Sequence, residues 1–132
     1  MLQKCENYCN AVVRLSEALD ELAQNPGSTV VRDGVIQRFE FTFELAWKSM
    51  REYMEDQGAS MDALFSKQVF KAAYAANIIH DGQVWLDMLA SRNVTSHVYD
   101  DAQAARVVEA IRDRYIAPLA QLAEFYKTQY PY

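Results

Sequence analysis

The sequence predicts an all-α protein, an up-and-down four-helix bundle with one additional short helix. Three observations carry that expectation. Apolar residues recur at steps of three and four through most of the chain, the spacing that builds one face of a helix. No stretch alternates with the two-residue period of a strand. The turn signals, Asn25-Pro26-Gly27-Ser28 and Gly58, fall between the periodic runs and not inside them. At 132 residues the chain reads as a single helical domain, 1–132, long enough to bury one core.

The first helix is predicted from Leu2 to Gln24, with Leu2, Cys5, Cys9, Val12, Leu15, Leu19 and Leu22 along one stripe. The second, Val30 to Gln57, is the longest. Val31, Val35, Phe39, Thr42, Ala46, Met50 and Tyr53 form one stripe, and Ile36, Phe43, Trp47 and Met54 form another beside it. An apolar arc that wide must touch more than one neighbour, which makes this helix the centre of the bundle or places it at both a core and a dimer contact. A loop from Ala59 to Phe65 leads to Ser66, expected to cap a short helix that runs through Ala76 and closes at Asn77 in the left-handed conformation. Asp81 then caps a helix from Gly82 to about Arg92, whose Val84, Trp85, Met88 and Leu89 face inward. Asp100 and Gln103 have the form of a capping box opening a final helix to about Lys127. Pro118 lies inside that run and predicts a kink or break near Arg114, because proline has no N–H to donate and its ring collides with the carbonyl four residues back.

Composition excludes several classes. No uncharged apolar run reaches the roughly 20 residues that span a bilayer, and no signal-peptide pattern opens the chain, so the expectation is a soluble, cytoplasmic protein without a membrane role. A net charge of −5 argues against a protein that coats nucleic acid, whose affinity comes from Lys and Arg neutralising phosphates; any RNA would sit in a local cleft. Cys5 and Cys9 have no histidine beside them and read as buried thiols. The Glu-x-x-His spacing of carboxylate-bridged metal bundles is missing, since Asn77 stands three residues before His80 and Val94 three before His97. His80-Asp81 has no further His and Asp around it, and four glycines make no phosphate-cradling loop, so no metal and no cofactor is expected. The charged residues of the long helix, among them Arg38, Glu40, Glu44, Lys48, Arg51, Glu52 and Glu55, read as a solvated face, with Glu40 and Glu44 opposed and Glu44 favourable to Lys48.

What remains is the polar stretch Ser91-Arg92-Asn93-Val94-Thr95-Ser96-His97-Val98-Tyr99-Asp100 between two apolar runs. Arg92 supplies a fixed cation, His97 a proton carrier near neutrality and Tyr99 a phenol. A guanidinium can grip a phosphate through two parallel hydrogen bonds and steady the charge that grows on it. An imidazole can accept and return a proton, as cleavage through an RNA 2′-hydroxyl requires. The plainer roles are a helix C-terminal charge for Arg92, a capping group for His97 and a ring tucked on the last helix for Tyr99.

The Arg-x4-His-x-Tyr motif formed by Arg92, His97 and Tyr99, with Trp85-Leu86-Asp87-Met88 upstream and Ile36 to Lys48 on the long helix, resembles the HEPN superfamily. Within it the chain is most similar to the nucleotidyltransferase substrate-binding proteins, partners of minimal nucleotidyltransferases in two-gene modules of the toxin–antitoxin kind. The resemblance covers most of residues 30–100. It implies a homodimeric, metal-independent endoribonuclease in which Arg92 and His97 of two protomers line a shared cleft and Asn93 orients the substrate or the imidazole. It also implies that Tyr99 is the acceptor onto which the partner transferase places AMP. The alternative is a non-catalytic subunit that docks on the transferase and presents a substrate or nucleotide to it. A third reading is a helical interaction protein without either activity.

Overall fold

The computed structural model describes residues 1–62, 65–97 and 100–131. The element order is α1 (Gln3–Gln24), α2 (Thr29–Asp56), α3 (Ser66–Ala75), α4 (Gly82–Thr95), α5 (Asp101–Ala110), a π-helical turn (Ile111–Tyr115) and α6 (Ile116–Gln129). The architecture is the expected all-α bundle: α1, α2, α4 and the α5–α6 rod are the four long members and α3 is the additional short one.

Helix α2 is central. It packs against α1 on one side and against α3, α4 and α5 on the others. Both of its apolar stripes are therefore used inside the chain. Val35, Phe39, Ala46 and Met50 are fully buried, and so, nearly, are Ile36, Phe43 and Met54 from the second stripe. The width of the apolar arc is explained by the bundle itself and does not by itself call for a dimer contact. Of its large apolar side chains, α2 leaves Val30, 81% exposed, and Phe41, 66% exposed, uncovered.

Several predicted caps are present. Asp81 Oδ1 accepts from the Val84 N–H at 3.1 Å, Asp100 Oδ1 from the Gln103 N–H at 2.8 Å, and Asn77 takes the left-handed closing position at φ 59°. One is not. Ser66 is the first helical residue of α3 instead of its cap, and the capping position falls on Phe65, whose N–H is met from within the helix by Gln68 Oε1 at 3.4 Å. Phenylalanine has no oxygen to offer, so only this half of the usual reciprocal capping pair exists.

The break expected near Arg114 is a widened turn. The Ile116 N–H bonds to the Ile111 carbonyl, five residues back, before the chain resumes as α6. Widening there accommodates Pro118, which cannot donate to the Arg114 carbonyl and whose ring would strike it in a regular helix. The turn buries Ile111 and Tyr115 beneath the rest of the bundle.

The core carries hydrogen-bonded hydroxyls as well as hydrocarbon. Tyr8 donates to the Leu119 carbonyl at 2.6 Å, and Ser49 and Tyr126 share a hydrogen bond at 2.7 Å. Cys5 and Cys9 are buried free thiols, and burial pushes the Cys5 thiol up to about 12. Among the described residues no helix is long and apolar enough to cross a membrane.

Candidate functional site

The polar stretch is not a loop throughout. Helix α4 continues one turn past Arg92 to Thr95, because its polar side chains fold back onto the open carbonyls of that last turn: Thr95 Oγ1 lies 2.7 Å from the Arg92 carbonyl and Ser96 Oγ donates to the Asn93 carbonyl at 3.2 Å. The boundary expected at Arg92 is thus too early. Asn93 is consequently an exposed helical residue.

Arg92 leans onto α2. Its Nη1 lies 3.3 Å from Glu40 Oε2, and its Nε lies 3.6 Å from Glu44 Oε1. Thr95 joins the contact: its Oγ1 is 3.0 Å from the same Glu40 oxygen and 3.5 Å from Arg92 Nη1. Glu44 turns its other oxygen to the Trp47 indole N–H at 3.2 Å, with Lys48 Nζ at 4.0 Å. Glu40 and Glu44 are therefore not the plain solvated pair that the sequence suggests; they bracket a cation from another helix, while the Glu44–Lys48 and Arg51–Glu55 pairs keep the expected pattern. Like charges at i and i+4 repel, so the Glu40–Glu44 spacing favours a cation nearby, but nothing in the sequence names Arg92 as that cation.

His97 is exposed just beyond α4, its N–H bonded to the Val94 carbonyl at 2.8 Å. The structure thus brings Arg92 and His97 to one end of α4, with the guanidinium partly buried against α2 and the imidazole at the surface. Tyr99, the expected acceptor of AMP, lies outside the described residues, as does Val98.

A second group of residues supports α4 from below. The ring of Tyr115 stacks on Phe39 with centroids 5.6 Å apart at 19°, and its hydroxyl lies 2.7 Å from Ser91 Oγ and 3.1 Å from the Asp87 carbonyl. The Asp87 carboxylate receives Gln83 at 2.9 Å and is ion-paired with Arg114. Those two donors hold it below its usual range, Gln83 first. At the other end of the polar stretch, Arg32 Nη1 donates to Asp101 Oδ1 at 2.8 Å. Helix α2 therefore fastens both flanks, Arg92 through Glu40 and the start of α5 through Arg32, about 12 Å apart along its axis.

Among the described residues no three His, Cys, Asp or Glu side chains gather as a metal site. The groove between α1 and α2, lined by Lys4, Trp47, Lys48, Arg51, Glu52 and Glu55 among others, includes neither Arg92 nor His97.

Fold and site together define a helical bundle whose candidate chemistry is a clamped guanidinium and an exposed imidazole at the end of one helix. The chain belongs to the family described as nucleotidyltransferase substrate binding protein like, which matches residues 3–128. A Haemophilus influenzae protein named probable ribonuclease HepT is 32% identical over 83 residues, a match covering 61% of this chain and 57% of that relative, so the chain spans little more than half of its length. Among solved structures, HI0074 from Haemophilus influenzae, described as a substrate binding domain of a nucleotidyltransferase, has a TM-score of 0.82 at 23% identity and covers 93% of this chain and 98% of its own. A tri-AMPylated Shewanella oneidensis HEPN toxin in complex with MNT antitoxin has a TM-score of 0.75 at 16% identity, covering 97% and 99%. At those identities the structural likeness concerns the fold.

Proposed function

We propose that this protein is a metal-independent endoribonuclease that works as the HEPN partner of a minimal nucleotidyltransferase. The observation that carries the proposal is the end of α4, where Arg92 is fixed against α2 and His97 follows at the surface. In the reaction, His97 takes the proton of an RNA 2′-hydroxyl, and the 2′-oxygen attacks the adjacent phosphorus. Arg92 steadies the charge gathering on the phosphate oxygens. The bond to the 5′-oxygen breaks, and the proton returns to that leaving oxygen. Asn93, exposed beside Arg92, orients the substrate or the imidazole.

The same reading makes the working form a homodimer whose two Arg92 and His97 pairs line one cleft. The exposed Phe41 on α2 is an apolar side chain available to such a contact. The cognate transferase holds the nuclease in check by modifying Tyr99: the phenol oxygen attacks the α-phosphorus of ATP, pyrophosphate leaves, and the added phosphate blocks RNA by charge and bulk. The named relatives support this reading, one as a probable ribonuclease and one as an AMPylated toxin bound to its antitoxin.

Purified protein is expected to cut RNA in the presence of EDTA, and His97→Ala to abolish cleavage while helical content by circular dichroism is unchanged. Full activity in His97→Ala refutes the assignment. With ATP and the partner, wild type gains mass in units of AMP and Tyr99→Phe does not. A monomeric mass at micromolar concentration removes the shared cleft. Intact RNA together with a stable transferase complex identifies instead a non-catalytic binding subunit.

A further inference from the structure

We infer that Glu40, assisted by Glu44, is a positioning residue that sets the orientation of Arg92; the inference rests on the ribonuclease reading for its rate consequence and on geometry alone for its structural one. An arginine in the last turn of a helix has a long, freely rotating stem, and an unguided guanidinium spends little time in the one pose that meets a phosphate. Here two carboxylates from a different helix take up that freedom. Glu40 Oε2 receives Nη1 at 3.3 Å, and Glu44 Oε1 stands 3.6 Å from Nε. Thr95 Oγ1, 3.0 Å from Glu40 Oε2 and 2.7 Å from the Arg92 carbonyl, donates to one of them at a time and ties the carboxylate to the backbone of the residue it holds.

The two acids are not equivalent. Glu44 also serves Trp47 and Lys48, whereas Glu40 faces Arg92 and Thr95. Arg92 Nε is buried without a hydrogen-bond partner, so it sits against the carboxylate wall and not in water, and a shift of a few tenths of an ångström toward Glu44 would satisfy it. Repulsion between Glu40 and Glu44, one turn apart, is offset by the cation between them. Helix α2 is in turn immobilised beneath this pair by Phe39, the residue before Glu40, which is fully buried and stacked on Tyr115.

The effect on kinetics has a definite sign. Removing a carboxylate near an incoming phosphate does not weaken its attraction to the site, so loss of Glu40 must show in kcat and not as a higher KM. For the full chain acting on RNA in EDTA, Glu40→Ala is expected to lower kcat about tenfold or more with KM unchanged or lower. Glu40→Gln, which keeps an oxygen for Arg92 and Thr95, recovers most of that loss. Wild-type turnover in Glu40→Ala, or a raised KM with kcat intact, overturns the role. A second measurement is independent of catalysis: the 15N signals of the Arg92 side chain report restricted guanidinium rotation in wild type and free rotation in Glu40→Ala. Unchanged restriction in that variant overturns the inference whatever the rate. If the wild-type protein cuts no RNA, the nuclease reading fails and this NMR comparison alone decides the clamp.

Discussion

The hydroxyl of Tyr115 lies 2.7 Å from Ser91 Oγ, so the side chain released by the widened turn before α6 is joined to the residue next to Arg92. The same ring stacks on Phe39, next to Glu40. One buried tyrosine thereby supports both sides of the Arg92–Glu40 contact, α4 through its oxygen and α2 through its ring. Tyr115→Phe leaves Ser91 Oγ and the Asp87 carbonyl without this partner and should cost about 1–2 kcal/mol, with the ring packing kept. Tyr115→Ala also removes the stacked ring and should cost about 3–5 kcal/mol. Urea unfolding of the two variants measures the difference; equal costs would show that the ring contributes nothing beyond its hydroxyl.

Arg92 and lysine are not interchangeable at this position. The guanidinium meets Glu40 and Glu44 through different nitrogens, Nη1 and Nε, which a single ammonium cannot reproduce. Arg92→Lys is therefore expected to lower RNA cleavage by about 10²-fold or more, close to the loss in Arg92→Ala. Because the ion pairs are part-exposed, neither change should alter folding stability by more than about 1 kcal/mol. Rates measured beside melting curves separate the two effects, and a lysine variant with near wild-type turnover would mean that charge alone suffices.

The fold was legible because α2 and its neighbours carry long periodic stripes, and because Asp81, Asp100 and Asn77 are the short polar residues that helix ends require. Pro118 announced the irregularity before α6, although not that a five-residue hydrogen bond would resolve it. Helix α4 runs past the boundary expected at about Arg92 for a physical reason. Serine and threonine read as loop formers, yet Thr95 and Ser96 turn back on the carbonyls of the helix and extend it. Arg92, Asn93 and His97 were visible as a motif, whereas Glu40 and Thr95 were not. They lie 52 residues before and three after Arg92, and only the packing of α4 on α2 brings them together.

The Arg32–Asp101 contact fastens the start of α5 and, through it, the far side of the motif. Both groups touch solvent, so the contact acts locally. Arg32→Ala should leave the melting temperature unchanged while amide hydrogen exchange at Asp101 to Gln103 quickens several-fold. Exchange that stays at the wild-type rate would show that the Asp100 cap secures this helix end unaided.

Alkaline instability follows from the buried thiol and phenols packed between α1, α2 and α6. Burial first, and then the neighbouring Cys9 and Glu52, raise the Cys5 thiol from 9.0 to about 12, and burial drives Tyr8 and Tyr126 upward as well. These groups are neutral when protonated, and the folded chain keeps protons that the unfolded chain has released. Their contribution to stability is complete below pH 9.0, the unfolded value for the thiol, and is lost as pH rises toward about 12. The urea midpoint should therefore hold steady to about pH 9 and then fall with each further unit. Cys5→Ala should start from a lower midpoint, because a buried side chain is trimmed, and then decline less steeply across the same range. A midpoint that is flat between about pH 9 and 11 in the wild-type protein would show that these side chains ionise as readily inside the bundle as outside it.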